Sequence, residues 1–526
     1  MANGVEGRGR NLVTVLAVVT ALQLTQGHAA AEPDCGALTS AIDRYAIEQM
    51  ERFGAIRPAG QPPLGQTFGW GTGVAFPPTE LAPPPLCGSP PGALAPLANM
   101  KYRGDSYDQS LLALWFVERA RLAYAAGNTT EGDTALARSQ KLLDALIFLS
   151  DHDPFGDGRL RAAYWVTDLL NQAGTEASIM APDVGVGNLA YFGIALTRFF
   201  AVAATYDVDV EDNYVGAPSS DTYLNRAEHV ANWIIAHTMD TDGPGGFTGG
   251  YSGWNAPPLE QVPFTWKSTE HNLDAYVLAR NLYSLRGDAK WRDMADHASA
   301  FVKAMYVELG EATGYYVTGT ATDGITLNPS PIPADAQAWT ALARNGYSAV
   351  DSVERAQYAM QWLLANLKEG CACDVTPDVG VRFSDIGTGM QSEVTASTAL
   401  ALLWLGQETQ QADDFLALLE WLQANPPLSG DGVTDHGIAA TPCSAGASTG
   451  YGVDAWYYPL QHGASSVWSG FACMVREGDT QANPLAPLPL YPEAVPSSQA
   501  WGLLGIMGLL LATGAGFLAL ARKAAV

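Results

Sequence analysis

Residues Lys267–Tyr276 read KSTEHNLDAY. A carboxylate, an imidazole, an amide and a second carboxylate follow closely, at Glu270, His271, Asn272 and Asp274. An apolar run then leads from Tyr276 through Val277, Leu278 and Leu282 to Tyr283. Apolar residues at three- and four-residue intervals predict a helix over 269–286, with Ser268 or Thr269 as its N-cap. Glu270 and Asp274 are four apart and share one face of it. Upstream lies the glycine-rich run GPGGFTGGYSGW, ending at Trp254, and then Trp266. Acids favour helix N-termini in any protein, but a first turn that adds an imidazole and an amide beside tryptophans points to a polar-ligand site.

The same kind of segment recurs outward from this one. Apolar periodic stretches alternate with Gly/Asp/Pro loops and predict helices at 38–53, 106–126, 133–150, 187–206, 221–238, 269–286, 289–307, 335–346, 351–367, 392–406, 411–424 and 462–473. They group as hairpins joined by short turns such as GNTTEGD, RGDAK, GYSAVD and GQETQQ. The first helix lacks a preceding partner and the last a following one. Pairing these two closes six hairpins into a ring, so the expected fold is all-α, an (α/α)6 toroid over residues 32–485. No repeat of fixed period argues for a solenoid. Residues 55–100 are rich in Pro and Gly and read as a long loop inside this domain.

Composition bounds the function. The chain has 526 residues, 48% of them hydrophobic, and a net charge of −26. That charge argues against nucleic acid or an anionic membrane surface as partner. Six cysteines are compatible with disulfides in an oxidising compartment. Cys371 and Cys373 are too close to pair with each other, so each is expected to pair elsewhere, with Cys443 and Cys473 as candidates, and Cys35 with Cys87.

Both ends carry addresses. Arg8 and Arg10 precede an apolar run from Leu12 to Leu24, and Ala29–Ala31 offers a cleavage site, so residues 1–31 read as a signal peptide. Residues 486–500 form a proline-rich spacer. Trp501 to Leu520 is uncharged and long enough to span a bilayer, with Arg522 and Lys523 behind it. The stretch VPSSQAWGLLGIMGLLLATGAGFLALARK resembles the IPTL-CTERM sorting tails of Gram-negative bacteria, departing from their signature at Val495 and Ser497–Ser498. The resemblance implies a sorting or processing peptidase as partner; a plain membrane anchor is the other reading.

Between the ends, APDVGVGNLAYFGIALTRF, GGFTGGYSGW, KSTEHNLDAYVLARNLY, IPADAQAWTALA, MQSEVTASTALALLWLG and WYYPLQHGASSVWSGFA together resemble the six-hairpin glycosidase superfamily. The resemblance covers roughly residues 100–485. It implies one cleft ringed by the N-termini of the inner helices, with Asp183, Glu270, Asp335, Glu393 and His462 at or just before those starts, and a polysaccharide or oligosaccharide as substrate.

Glycoside cleavage needs two carboxyl groups, one protonated and one able to activate water or attack the sugar. Glu270, with Trp254, Trp266 and Asp274 near it in sequence, is the expected acid. Asp183, in a Pro/Gly loop, is the expected base, with Asp335 and Glu393 as alternates or hydroxyl ligands. Trp70, Trp254, Trp266, Trp456, Tyr251, Tyr457 and Tyr458 fall in loops and suit stacking on sugars, whereas Trp115, Trp339, Trp362, Trp404 and Trp421 fall on apolar helical faces and are assigned to the core. His271 and Asp274 join the substrate-binding set. His462 either binds a substrate oxygen or caps the last helix.

No P-loop or dinucleotide fold is present, and no cofactor or metal is expected. DHDPFGDG from Asp151 hints at calcium, but Phe155 and Ala162 stand where ligands belong. The acidic run Asp207–Tyr214 reads as a solvated loop. The expected function is an exported, surface-tethered carbohydrate-active enzyme, most simply a glycoside hydrolase, with a polysaccharide lyase or sugar epimerase as variants. A non-catalytic glycan-binding or structural surface protein is the alternative. Two acids facing one pocket, at least one desolvated, discriminate the enzyme from the binder.

Overall fold

The computed structural model describes residues 32–51, 102–208, 223–255, 260–345, 348–371, 379–425, 436–443, 446–451, 456–457, 459 and 461–489. The expected signal peptide, the whole Pro/Gly-rich loop with Trp70, the C-terminal tail, Tyr458 and all but the first residues of the acidic run lie outside the described residues.

Among the described residues are twelve helices: α1 (Cys35–Glu51), α2 (Ser106–Ala125), α3 (Thr129–Asp151), α4 (Val186–Thr205), α5 (Tyr223–Thr238), α6 (Thr269–Arg286), α7 (Ala289–Ala304), α8 (Ala334–Leu342), α9 (Val353–Asn366), α10 (Ser392–Leu405), α11 (Thr409–Ala424) and α12 (Gly463–Arg476). The even-numbered helices form an inner ring. Each packs on the inner helix before and after it, and α12 packs on α2. The odd-numbered helices lie outside, and α1 packs on α12 to close the circle. The helical toroid read from the sequence is the fold.

Sequence decides which helix goes inside. VGNLAYFGIALTRFFAVAAT of α4 is apolar enough to cross a membrane, yet it is a core helix buried on every side. Outer α7 buries only Trp291, Met294, Ala295, Ala298, Ser299, Phe301 and Val302, at helical spacing, and exposes Lys290, Arg292 and Asp293. Glycines let the inner helices approach closely. A Cβ on Gly193 would meet the Leu278 side chain at 2.6 Å, and one on Gly470 would meet the Trp115 ring at 2.3 Å.

Short antiparallel ladders tie the N-terminal ends of the inner helices together. Arg103–Asp105 pairs with Ala163–Trp165, which pairs with Ile179–Ala181. Val184–Gly185 pairs with Gly250–Asn255. Gly250 has φ +106°, and a Cβ there would stand 1.9 Å from the Val184 carbonyl oxygen, so only glycine fits.

Two disulfides join described residues. Cys371 bonds to Cys443, one of its expected partners. Cys35 bonds to Cys473 across 438 positions, with Cα atoms 5.1 Å apart, and this corrects both the expected Cys35–Cys87 pair and the assignment of Cys473 to the CxC cysteines. Ring closure brings the first and last helices side by side, which outweighs proximity along the chain. Changing both Cys35 and Cys473 to Ser is expected to lower the unfolding free energy by about 2–4 kcal/mol, measured by denaturant unfolding against parent protein.

The other end of the ring is filled. After α12 the chain runs back under the C-terminal halves of the inner helices. Arg198 donates to the carbonyls of Asn483 (2.7 Å) and Ala486 (2.5 Å). Asn483 donates to the Leu342 carbonyl at 2.9 Å, and the Leu488 N–H donates to Asn281 Oδ1 at 2.8 Å. These contacts continue through Pro487 and Pro489, past the boundary expected at 485, and beside them lies a cavity of about 340 Å³.

Two further corrections concern tryptophans. Trp421, assigned to the core, is 45% exposed on the outer face of α11. Trp362 and Trp404 are only half-buried. The acids of DHDPFGDG are taken up by arginines: Asp151 by Arg226, Asp153 by Arg161 and Asp157 by Arg159.

Candidate active site

The six inner helices begin on one face, and their first turns enclose a cavity of about 310 Å³. Tyr107 and Asp108 come from α2, Asn188 from α4, Glu270, His271 and Asp274 from α6, Asp335 and Trp339 from α8, and Glu393 from α10. His462 is the N-cap of α12, and Asp183 stands three residues before α4. Arg103, Asp105, Phe383 and Tyr457 complete much of the wall. The cavity therefore brings together all four expected catalytic carboxyls, with His271, Asp274, Tyr457 and His462 from the expected binding set. Trp266 packs against His271 with ring centroids 5.7 Å apart. Trp254 and Trp456 belong to short strands, and their side chains lie outside the described residues. Trp339, assigned to the core, is buried and also lines the cavity.

Local chemistry sets each helix start. Ser268 is the cap of α6, its hydroxyl accepting from the His271 N–H at 3.4 Å, whereas Thr269 donates to the Val317 carbonyl at 2.6 Å. Asn272 is fully buried. It donates to the Phe247 and Ser268 carbonyls and accepts from the Phe247 N–H, so the amide pins the glycine-rich run to α6. Gln391 caps α10 by accepting from the Val394 N–H at 2.6 Å and leans on Glu393.

A hydrogen-bonded relay crosses three helices: Trp468 donates to the Tyr107 hydroxyl at 3.0 Å, and Tyr107 donates to Glu393 at 2.7 Å. Burial, then the Asp335 charge, pushes Glu393 up to about 7, against the pull of the Tyr107 hydrogen bond. Glu270 and Asp335 are hydrogen-bonded to each other. Burial holds Glu270 well above the carboxylate range, helped by the charges of Asp335, Asp274 and Glu393. Burial also lifts Asp335 to about 6, although it accepts from the Ala336 N–H and from Glu270. Together the pair holds one proton near neutrality, on Glu270.

Asp183 is less extreme. Burial raises it, while the Gly253 N–H and the charges of Arg161 and Arg103 work the other way. The Nδ1 of His462 faces the Ser465 N–H at 3.4 Å and its Nε2 lies 3.6 Å from Asp108, so the proton belongs on Nε2. Burial lowers His462 to about 3 and His271 to about 4, and both rings are neutral. Of the alternatives weighed for His462, the capping bond is present, and the ring also reaches the cavity wall.

Carboxyls raised in the folded state bind protons that the unfolded chain has released. Their stabilisation is complete below the ordinary pKa of 4.5 and is lost as pH rises through the folded value, here about 7 for Glu393. Thermal stability is therefore expected to fall between pH 4.5 and 7.5, and Glu393→Gln is expected to flatten part of that slope in melting curves.

No family model matches the chain, and no curated protein matches it. Solved structures do. A D-mannose isomerase superposes with a TM-score of 0.51 at 10% identity, covering 84% of this chain and 99% of that one. A family 76 glycoside hydrolase from a bovine Bacteroides thetaiotaomicron strain gives 0.48 at 12%, covering 83% and 78%. A sugar epimerase from a ruminal bacterium gives 0.49 at 11%, covering 84% and 99%. What is shared with the first of these is the fold.

Sequence reasoning missed Tyr107, Asp108, Asn188, Arg103 and Asp105. Tyr107 and Asp108 were findable, because SYDQS opens an inner helix as STEHN does. Arg103 sits in a ladder strand, engages Asp105 through two bonds of 2.6 and 2.8 Å, and carried no such signal.

Proposed function

We propose that the protein is a carbohydrate-active enzyme that hydrolyses glycosidic bonds by carboxyl acid/base catalysis, with Glu270 as the acid. The observation that carries this reading is the Glu270–Asp335 pair, a half-buried carboxyl kept protonated by desolvation and by an acidic neighbour, in a cavity large enough for a sugar. Hydrogen-bonded carboxyls cannot flank a glycosidic bond, which requires groups about 5–9.5 Å apart. Asp335 therefore tunes Glu270, and the opposing base is Asp183. In the reaction Glu270 gives its proton to the leaving oxygen as the C–O bond breaks. Water attacks the anomeric carbon and loses its proton to Asp183. Tyr457, Phe383 and Trp339 supply aromatic surface to the cavity wall, with Trp266 beside His271. Two desolvated acids in one cavity are what catalysis needs and mere binding does not. The test is release of reducing ends from a panel of polysaccharides by the purified protein.

The site belongs, on this reading, to an exported protein held at the envelope by its tail. Removing residues after Ser498 is then expected to yield a soluble, folded body, and fractionation of that body with membranes would contradict the tether.

One observation favours a second reaction. Two neutral imidazoles, His271 and His462, line the same cavity and suit proton exchange at a sugar carbon. Incubation of reducing sugars with the protein in deuterated water tests for it, as solvent deuterium would enter at C2.

A further inference from the structure

The charge in the cavity is unbalanced. Seven carboxyl side chains line it against one guanidinium, Arg103, which Asp105 already holds by two bonds. Four of the seven, Glu270, Asp274, Asp335 and Glu393, come from three successive inner helices and act electrostatically on one another. No lysine or arginine lining the cavity comes from those helices, and the adjacent His271 is neutral.

Asp274 is the telling member. Its side chain lines the cavity, has no exposed surface, and has neither oxygen hydrogen-bonded among the described residues. The Nδ1 of His271, one residue after Glu270, is also buried and unpartnered. Opposite them stands the bare backbone of Gly187. A Cβ there would lie 3.2 Å from Asp274 Oδ2 and 2.7 Å from His271 Cδ2, so only glycine lets α4 pack this closely on the pair, and any bulk added at this corner meets backbone. Buried polar atoms without partners are rare in folded proteins, and a buried carboxyl calls for a donor, best a charged one.

We propose that Asp274, with His271 Nδ1, receives the ammonium group of an amino sugar, so that the substrate is a saccharide carrying a free, unacetylated amine. This rests on the reading of the cavity as a sugar site. An ammonium offers three N–H donors, enough for both Asp274 oxygens and the imidazole nitrogen once its charge has displaced the proton that burial and the Asp335 charge hold on Asp274. A neutral hydroxyl supplies one donor and no charge. An N-acetyl group adds bulk against Gly187 and removes the charge. A uronic acid adds an eighth carboxyl group.

The test is calorimetric binding of D-glucosamine, D-galactosamine and D-mannosamine to the purified full chain at neutral pH. The N-acetyl derivatives and the parent hexoses serve as references. At least one aminohexose is expected to bind about tenfold tighter than its parent hexose, the scale of one charge-assisted hydrogen bond. Asp274→Asn is expected to abolish that preference while the hexose still binds. The parent protein's own preference decides the matter if the variant fails to fold. No aminohexose binding tighter than its hexose overturns the proposal. So does calcium chloride alone binding in an Asp274-dependent way and displacing the aminohexoses, because the corner is then a cation site. Failure of the two readings looks different. Cleavage of a neutral glycan without amine preference sinks this one only. Asp274-dependent amine binding without any hydrolysis sinks the hydrolase only.

Discussion

Glu270→Gln is expected to lower turnover about 10²–10⁴-fold, the usual worth of a general acid, while saccharide binding stays close to that of the parent. Gln keeps the length and shape of the side chain and can still donate a hydrogen bond to Asp335, but it has no proton to give a leaving oxygen. The effect belongs in kcat rather than KM, because the proton moves only in the transition state. Its neighbours sharpen the test. Asp335→Asn removes the carboxylate that accepts from Glu270 and one of the charges that raise it. The acid should then lose its proton at lower pH, and the upper limb of the pH–rate profile should move down. A Glu270→Gln protein that turns over at the parent rate would rule Glu270 out as the acid.

Arg161→Met is expected to cost about 3–5 kcal/mol of stability, the consequence of leaving a buried carboxylate without its partner. Neither Arg161 nor Asp153 has exposed side-chain surface, and the guanidinium meets both carboxylate oxygens. The double variant Arg161→Met, Asp153→Leu should recover part of the loss, because no isolated charge remains. Denaturant midpoints of parent, single and double variants read this directly, and a single variant no less stable than the double would contradict it. Arg161 also donates to the Pro182 carbonyl at 2.8 Å, immediately before Asp183. Its loss should therefore lower turnover as well, by loosening the base.

The helices were legible because burial on the inner ring demands long apolar runs and the turns between them are punctuated by Gly, Asp and Pro. Errors fell at the ends. Asn128 caps α3 from within the turn GNTTEGD, its side chain accepting from Glu131, so that helix starts at Thr129 rather than 133. The acids at inner-helix starts were legible as a recurrence, since the fold repeats a position even where the sequence repeats no motif. What stayed hidden was whatever depends on closure. The Cys35–Cys473 bond, the Glu270–Asp335 contact and the close approach of Gly187 to Asp274 each join segments far apart in the chain. The exposure of Trp421 was hidden for a related reason, as an apolar residue on an outer helix has a face to choose, and spacing alone does not choose it.

The filled end of the ring also fixes which way the molecule stands. Glu270 opens α6 at the cavity, and Ser284, fourteen residues on, donates to Pro489. At about 1.5 Å per helical residue these points are roughly 20 Å apart. Pro489, the last described residue, thus lies at the base while the cavity opens at the top, like the foot and rim of a cup. A bead, a sensor chip or a second protein joined at Pro489 would sit beneath the cup, leaving its rim clear for a polymer too long to diffuse around an obstruction.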